Sequence, residues 1–299
     1  MANVLVTGAS GFLGAAVMSR LLQAGHRAVG LDPVKPADKG RRHLIDDLSD
    51  SNRLANLLRT DEVTHVIHCG GVSGPMVLTD EPARIMAINV GGSLNLLQAS
   101  IAGGVKTFIY CSSVSAVGNF YETVAINDEH PLRPTNAYGC SKAAVDMVLR
   151  GLWRRVPVDL CSLRFTSIYG PGRQTGFVVD DIVAAALHGK TALVEPTTDW
   201  PYIYIDDAAD AAVAACFSSR RNQLFYFLAY PEQVTLEDLA AAATRAGRPV
   251  QLAIDTSRDE AARSPLAIEP ARRDFGFAPR IDHREGILRM IAAGLAKQP

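Results

Sequence analysis

A short apolar run near the start of the chain, Val4-Leu5-Val6, leads directly into Thr7-Gly8-Ala9-Ser10-Gly11-Phe12-Leu13-Gly14. Three glycines so spaced between a strand and a helix serve a definite geometry. Gly8 permits a tight turn, Gly11 lets an anion approach backbone N–H groups, and Gly14 lets helix and strand pack closely. The N–H groups and partial positive charge of the helix N-terminus then favour a phosphate. A plain strand–turn–helix also uses glycine, so the turn alone fixes no ligand.

The context narrows it. Leu13, Val17 and Leu21 recur every fourth residue, Gly25 stands where a helix C-cap belongs, and a second strand is expected at 27–31. That is one βαβ unit. Asp32 follows the second strand, where a carboxylate can accept hydrogen bonds from the ribose hydroxyls of a dinucleotide and would repel a 2′-phosphate. The cofactor so indicated is NAD, held by Gly8, Ser10, Gly11, Phe12, Leu13, Gly14 and Asp32. Lys35, Lys39, Arg41 and Arg42 lie close behind and can soften the preference over NADP; as solvated loop charges they have a plainer explanation.

Alternation of short β-branched runs with longer helical patterns continues to about residue 165, with further strands expected at 42–46, 64–68, 106–112 and 158–165. Helices are expected at 82–103, 137–155 and 177–189. The fold class is α/β: a doubly wound parallel sheet of the Rossmann type over 1–170, with 171–299 mainly a smaller α/β substrate-binding region. The segment 195–201 reads as loop. The stretch 201–228 is expected to return to the sheet, with a strand at 202–205, Asp206-Asp207 capping an Ala-rich helix, and a strand at 224–228. Two or three helices follow.

In Tyr138-Gly139-Cys140-Ser141-Lys142 the phenol and the ammonium are four residues apart on one helix face. Taken alone this spacing is structural in most proteins. Its chemical use is specific, however: a phenol ordinarily titrates near 10, and serving as a base near neutrality requires about 4 kcal/mol. An ammonium about 4 Å away in an effective dielectric near 20 supplies an interaction of about that size. The strand at 106–112 ends in Tyr110-Cys111-Ser112-Ser113, and parallel sheets bind ligands at the carboxyl ends of their strands. Ser113 can hold a substrate oxygen there; the alternative is that both serines satisfy backbone groups at the strand end.

Composition excludes several classes. With 30 Lys+Arg against 31 Asp+Glu in 299 residues, no basic field suggests nucleic acid or an anionic membrane. No signal-peptide pattern or membrane-length apolar run is evident, so a cytoplasmic protein with a small-molecule partner is expected. The five cysteines form no C-x-x-C pair, and the seven histidines show no ligand spacing, so no metal site is expected.

Together these residues resemble the extended short-chain dehydrogenase/reductase superfamily, and within it the NAD-dependent epimerase/dehydratase family. The likeness spans nearly the whole chain. Its further landmarks are Asp47-Leu48, His68-Cys69-Gly70-Gly71, Asn89-Val90, Leu163-Arg164, Tyr169-Gly170-Pro171-Gly172, Tyr202 to Asp207, Ala271-Arg272-Arg273 and Phe275-Gly276-Phe277. The resemblance implies that Asp47 and Leu48 border adenine, and that Gly70, Gly71 and Asn89 join the cofactor contacts. It makes Ser113, Tyr138 and Lys142 the catalytic group, with Lys142 also binding nicotinamide-ribose hydroxyls. It further implies a homodimer through the helices at 82–103 and 137–155.

Departures shape the expected substrate. Trp200 stands where many relatives that bind nucleotide-diphosphate sugars carry arginine, Ser167 replaces a common asparagine, and Val114 and Ser115 replace the acidic residues of the dehydratase branch. A diphosphate without its bidentate cation forgoes bonds worth roughly 1.5 to 3 kcal/mol each. The leading expectation is therefore an NAD-dependent dehydrogenase of a small sugar, polyol or sugar acid, with Tyr138 as base and Ser73, Ser113, Ser115 and Arg173 as substrate contacts. Two alternatives stand beside it: an epimerase using the same residues, and a non-catalytic NAD-sensing regulatory protein.

Overall fold

The computed structural model describes residues 2–36, 40–118, 125–194, 201–254 and 264–296. The chain opens with β1 (Asn3–Thr7), α1 (Phe12–Gln23), β2 (Arg27–Leu31), β3 (His43–Leu44), α2 (Ser51–Thr60) and β4 (His65–His68). Next come α3 (Pro82–Met86), a π-helical turn at Ala87–Gly91, α4 (Gly92–Ala102), β5 (Thr107–Ser113), α5 (Ala137–Leu152) and β6 (Asp159–Phe165). With β10 (Phe225–Leu228) from later in the chain, the order of the main sheet is β10-β6-β5-β4-β1-β2-β3, all parallel. Chain order reverses between β1 and β4, and at such a switch point a doubly wound sheet opens its ligand crevice.

Alternating side chains split the core between the two faces. Val4, Val6, Ile67, Ile109 and Cys161 pack toward α1 and toward α7 (Ile205–Phe217), while Leu5, Val66, Phe108, Tyr110 and Leu160 pack toward α2, α4 and α5. Ala208, Ala209, Ala211, Ala212 and Ala215 let α7 (Ile205–Phe217) lie close against the sheet and α1. Pro82–Ala102 is long and apolar enough to cross a membrane. Its packing against α2 and α5, with Asn89, Ser93 and Ser100 buried on it, accounts for that apolarity.

After β6 only part of the expected return to the main sheet is found. β7 (Ser167–Tyr169) leaves the main sheet, and β9 (Tyr202–Tyr204) pairs with it in a separate two-stranded sheet; only β10 (Phe225–Leu228) returns. Asp206 and Asp207 do not cap α7: they lie in its first turn, where negative charge suits the helix N-terminus, and the N-cap is Tyr204. The remaining elements are α6 (Val178–His188), β8 (Thr191–Val194), α8 (Leu236–Arg245), β11 (Gln251–Ile254), α9 (Glu269–Phe275) and α10 (His283–Leu295). α6, α8, α10, β8 and β9 enclose a third core around Val179, Ile182, Tyr202, Leu239, Ile287 and Met290. α9 instead packs Ala271 and Phe275 into the core of the main sheet.

Candidate active site

The carboxyl ends of β1, β2, β4, β5 and β6 open onto a cleft of about 1620 Å³, larger than the roughly 300–1,000 Å³ of an ordinary ligand pocket. Its floor is the glycine turn. Gly8 has φ +65°, and a Cβ there would come within 2.7 Å of Gly70; a Cβ on Gly14 would meet the Gly8 carbonyl at 2.1 Å. The turn therefore admits no side chain between β1, β4 and α1. Gly11 N-caps α1 without a side-chain cap, so the first N–H groups of the helix are left for a ligand. These features fit a dinucleotide pyrophosphate.

Asp32 is buried at 8% exposure, its carboxylate accepting from Ser10 N at 3.1 Å and Val34 N at 2.8 Å. A carboxylate has about four acceptor sites, so capacity for ribose hydroxyls remains. The Ser10 hydroxyl donates to the Val34 carbonyl at 2.6 Å, which ties the glycine turn to the loop carrying Asp32. Asp47 and Leu48 border the same end of the cleft; hydrogen bonds from Ser49, with the Arg53 charge, hold the Asp47 carboxyl below its usual range.

The end of the cleft at β5 is set by α5. Asn136 caps it, accepting from Gly139 N at 2.8 Å. A Cβ at Gly139 would lie 2.3 Å from the Ser115 carbonyl, so glycine is what lets the first turn of α5 close on the end of β5. That approach brings Tyr138 and Lys142 to the cleft beside Ser113 and Ser115. Lys142 is buried; its Nζ donates to the Cys111 carbonyl at 2.8 Å and stands 4.8 Å from the Tyr110 ring centre and 5.8 Å from that of Tyr138. Burial disfavours this ammonium, but the Tyr110 and Tyr138 hydroxyls facing it more than compensate, and it titrates above the ordinary lysine range. Ser113 Oγ accepts from Ser115 N at 3.1 Å, leaving its own proton to donate.

On the far side, Arg173 lines the cleft over the Phe177 ring, its Nε donating to the Thr175 carbonyl at 3.0 Å and its Nη1 to the Ile168 carbonyl. Burial lowers its pKa, against the opposing pull of Asp180 and Tyr138. Burial also raises Asp180 to about 6 in spite of the Arg173 charge.

Of the residues expected from sequence, Gly8, Ser10, Gly11, Phe12, Leu13, Gly14, Asp32, Asp47, Leu48, Gly70, Gly71, Ser73, Ser113, Ser115, Tyr138, Lys142 and Arg173 all border this one cleft. Asn89 does not. Its amide is buried at 2% exposure and bonded to Val72 and Ser141, so it shapes the loop beside the cofactor turn from behind. Trp200 and Lys39 lie outside the described residues. Ser167, Phe165 and Thr166 at the end of β6, and the paired thiols Cys69 and Cys111 at 3.5 Å, also border the cleft without having been singled out as site residues. Among the described residues no three His, Cys, Asp or Glu side chains gather as a metal site.

The sequence model of the NAD dependent epimerase/dehydratase family matches residues 4–224. The chain belongs to this family. NAD is accordingly the cofactor of the cleft, in agreement with Asp32. A relative within the family is the UDP-glucose 4-epimerase of Mycolicibacterium smegmatis, 27% identical over 306 residues and covering 97% of both chains. The UDP-glucose 4-epimerase of Thermus thermophilus, solved in complex with NAD, superimposes with a TM-score of 0.86 at 25% identity, covering 99% of this chain and 100% of that one. The UDP-glucose-4-epimerase of Stenotrophomonas maltophila shares the fold at a TM-score of 0.90 and 22% identity, covering 99% and 98%.

Proposed function

We propose that this family member is an NAD-dependent sugar epimerase, which oxidises a secondary hydroxyl of its substrate and reduces it again from the opposite face. The observation that carries this reading is the convergence of Ser113, Tyr138 and Lys142 on one cleft with the glycine turn. Bound NAD supplies the hydride acceptor and donor. The protein's own groups manage the proton: Tyr138 takes it from the substrate hydroxyl and returns it, while the Lys142 charge stabilises the phenolate. Ser113 donates to the substrate oxygen and fixes its orientation.

End-to-end likeness to UDP-sugar epimerases supports a sugar carried on a nucleoside diphosphate, where the residues alone had favoured a free sugar or sugar acid. Ser167, and Trp200 in place of arginine, then require a different grip on the diphosphate. Arg173 is the guanidinium that the loop after β7 offers among the described residues. The same proposal includes a homodimer through α3, α4 and α5, supported by Met86, Ile88 and Met147 at 39%, 40% and 57% exposure; light scattering that finds a monomer would remove it.

Purified protein incubated with NAD and a panel of UDP-sugars, free sugars and sugar acids tests the chemistry, with products followed by NMR and NADH by absorbance. A new stereoisomer without net NADH is expected. Net NADH accumulation would replace the epimerase with a dehydrogenase, and NAD binding without turnover of any compound would favour the regulatory alternative.

A further inference from the structure

Behind the cleft runs a buried hydrogen-bond chain that none of the proposed proton steps uses. Gly70 N–H donates to Thr7 Oγ1 at 3.2 Å, and Thr7 Oγ1 meets His68 Nδ1 at 2.6 Å. On the other side of the ring, His68 Nε2 meets Ser93 Oγ at 2.8 Å, and Ser93 Oγ donates to the Asn89 carbonyl. The Asn89 amide donates to Ser141 Oγ at 2.9 Å, which donates to the Tyr138 carbonyl at 2.7 Å. Val72 N–H, donating to Asn89 Oδ1 at 2.7 Å, fixes which way that amide faces.

Donor counting sets every proton along this path. Ser93 spends its one proton on the Asn89 carbonyl, so it must accept from His68 Nε2–H. His68 Nδ1 is then the acceptor for the Thr7 hydroxyl, which accepts in turn from Gly70 N–H. The imidazole is thereby held in a single neutral tautomer, and no link can reverse without breaking its neighbour. His68, Ser93, Asn89 and Ser141 are each 2% exposed or less, so an unmade bond here has no solvent to replace it. Burial, reinforced by the Lys142 charge, lowers the His68 ring to about 3, so it stays neutral through the pH range in which a tyrosine base operates. The π-helical turn at Ala87–Gly91 carries Asn89, whose carbonyl and amide are the two ends on which the chain hinges. Such turns recur at functional sites.

We propose that His68 is a positioning residue which, through this one-directional chain, couples the phosphate-binding turn after Thr7 to the helix turn that presents Tyr138. The proposal rests on the NAD-dependent reading of the cleft, but its test does not require turnover. Ser141 does not line the cleft and its hydrogen bonds go to Asn89 and Tyr138, not to Thr7, so an effect of one at the other's site reports coupling.

The experiment is a double-mutant cycle of Thr7→Val and Ser141→Ala, with amide hydrogen exchange of the free protein and NAD affinity as readouts. Ser141→Ala is expected to speed exchange at Gly8, Gly11 and Gly70 and to weaken NAD binding about fivefold, with β2 unchanged; adding Thr7→Val then produces little more. Thr7→Val is also expected to lower kcat at saturating NAD, where a local effect would alter only the KM for NAD. His68→Gln, which keeps one acceptor and one donor, retains more of both properties than His68→Leu. If Ser141→Ala changes exchange only around α5, or if the two substitutions multiply independently, the coupling is wrong. Should Ser141→Ala fail to fold, Ser93→Ala enters the cycle in its place. Failure of the functional reading is a separate outcome: no sugar is turned over, while the exchange measurements still decide the coupling.

Discussion

In the proposed chemistry a tyrosine acts as a base only where its phenolate is held by charge, and Lys142, one helical turn from Tyr138 and anchored to the Cys111 carbonyl at 2.8 Å, is the group placed to supply that charge. Tyr138→Phe keeps the ring and its packing but removes the group proposed to move the proton. Turnover is expected to fall by about 10²- to 10⁴-fold, the usual size of a general-base contribution, with NAD affinity within about threefold of the parent by titration. Activity within tenfold of the parent would assign the base elsewhere. Ser113, Tyr138 and Lys142 stand out in the sequence because such chemistry demands fixed residue types at fixed spacing, and all three border the cleft. Asn89, expected among the cofactor contacts, is instead bonded to Val72 and Ser141, 17 and 52 residues away, and does not border the cleft. His68 appeared only as a landmark; its work depends on Thr7 and Ser93, 61 and 25 residues distant, and no local pattern announces such a pairing.

Elements place these residues through contacts that forbid side chains. Gly139 is the sharpest case, since its hydrogen faces the Ser115 carbonyl where a Cβ would stand 2.3 Å away. Gly139→Ala is expected to push the first turn of α5 back from β5, carrying Tyr138 with it. A displacement near 1 Å costs about 10²-fold in rate, whereas alanine favours a helix by up to about 1 kcal/mol, so kcat falls while urea unfolding shows little loss of stability. An unchanged kcat would mean that the approach of α5 to Ser115 does not set the geometry of the base. Long elements were legible for the same periodic reasons that make them stable: 137–155 and 158–165 were expected, and Ala137–Leu152 and Asp159–Phe165 are found. The π-helical turn inside 82–102 and the pairing of Ser167–Tyr169 with Tyr202–Tyr204 were not. Neither has a period of its own, and both arise from tertiary contacts.

At the scale of the whole molecule, the C-terminal region is tied to the terminal strand of the main sheet, where α9 packs against β10. Asp274, at the end of α9 and 1% exposed, accepts from Tyr226 Oη at 2.7 Å and from Asn222 N at 3.0 Å, with Arg273 Nε at 2.6 Å. Burial alone would raise this carboxyl, but the bonds from Arg273, Asn222 and Tyr226 prevail and lower it to about 2. A folded-state pKa below that of the unfolded chain contributes stability that is present above the unfolded value and lost as pH falls through the folded one. The window is therefore from about 4 down to about 2. The full difference is worth about 2 kcal/mol, reduced to about 1 by solvent around Arg273, whose side chain is 60% exposed. Asp274→Asn keeps the shape but removes the titration. Urea unfolding of both proteins should show the parent more stable at neutral pH, with the gap closing by about 1 kcal/mol between about pH 4 and pH 2. A gap that stays constant through that window would mean that the carboxylate charge of Asp274 plays no part in holding α9 to the sheet, and that its packing alone does so.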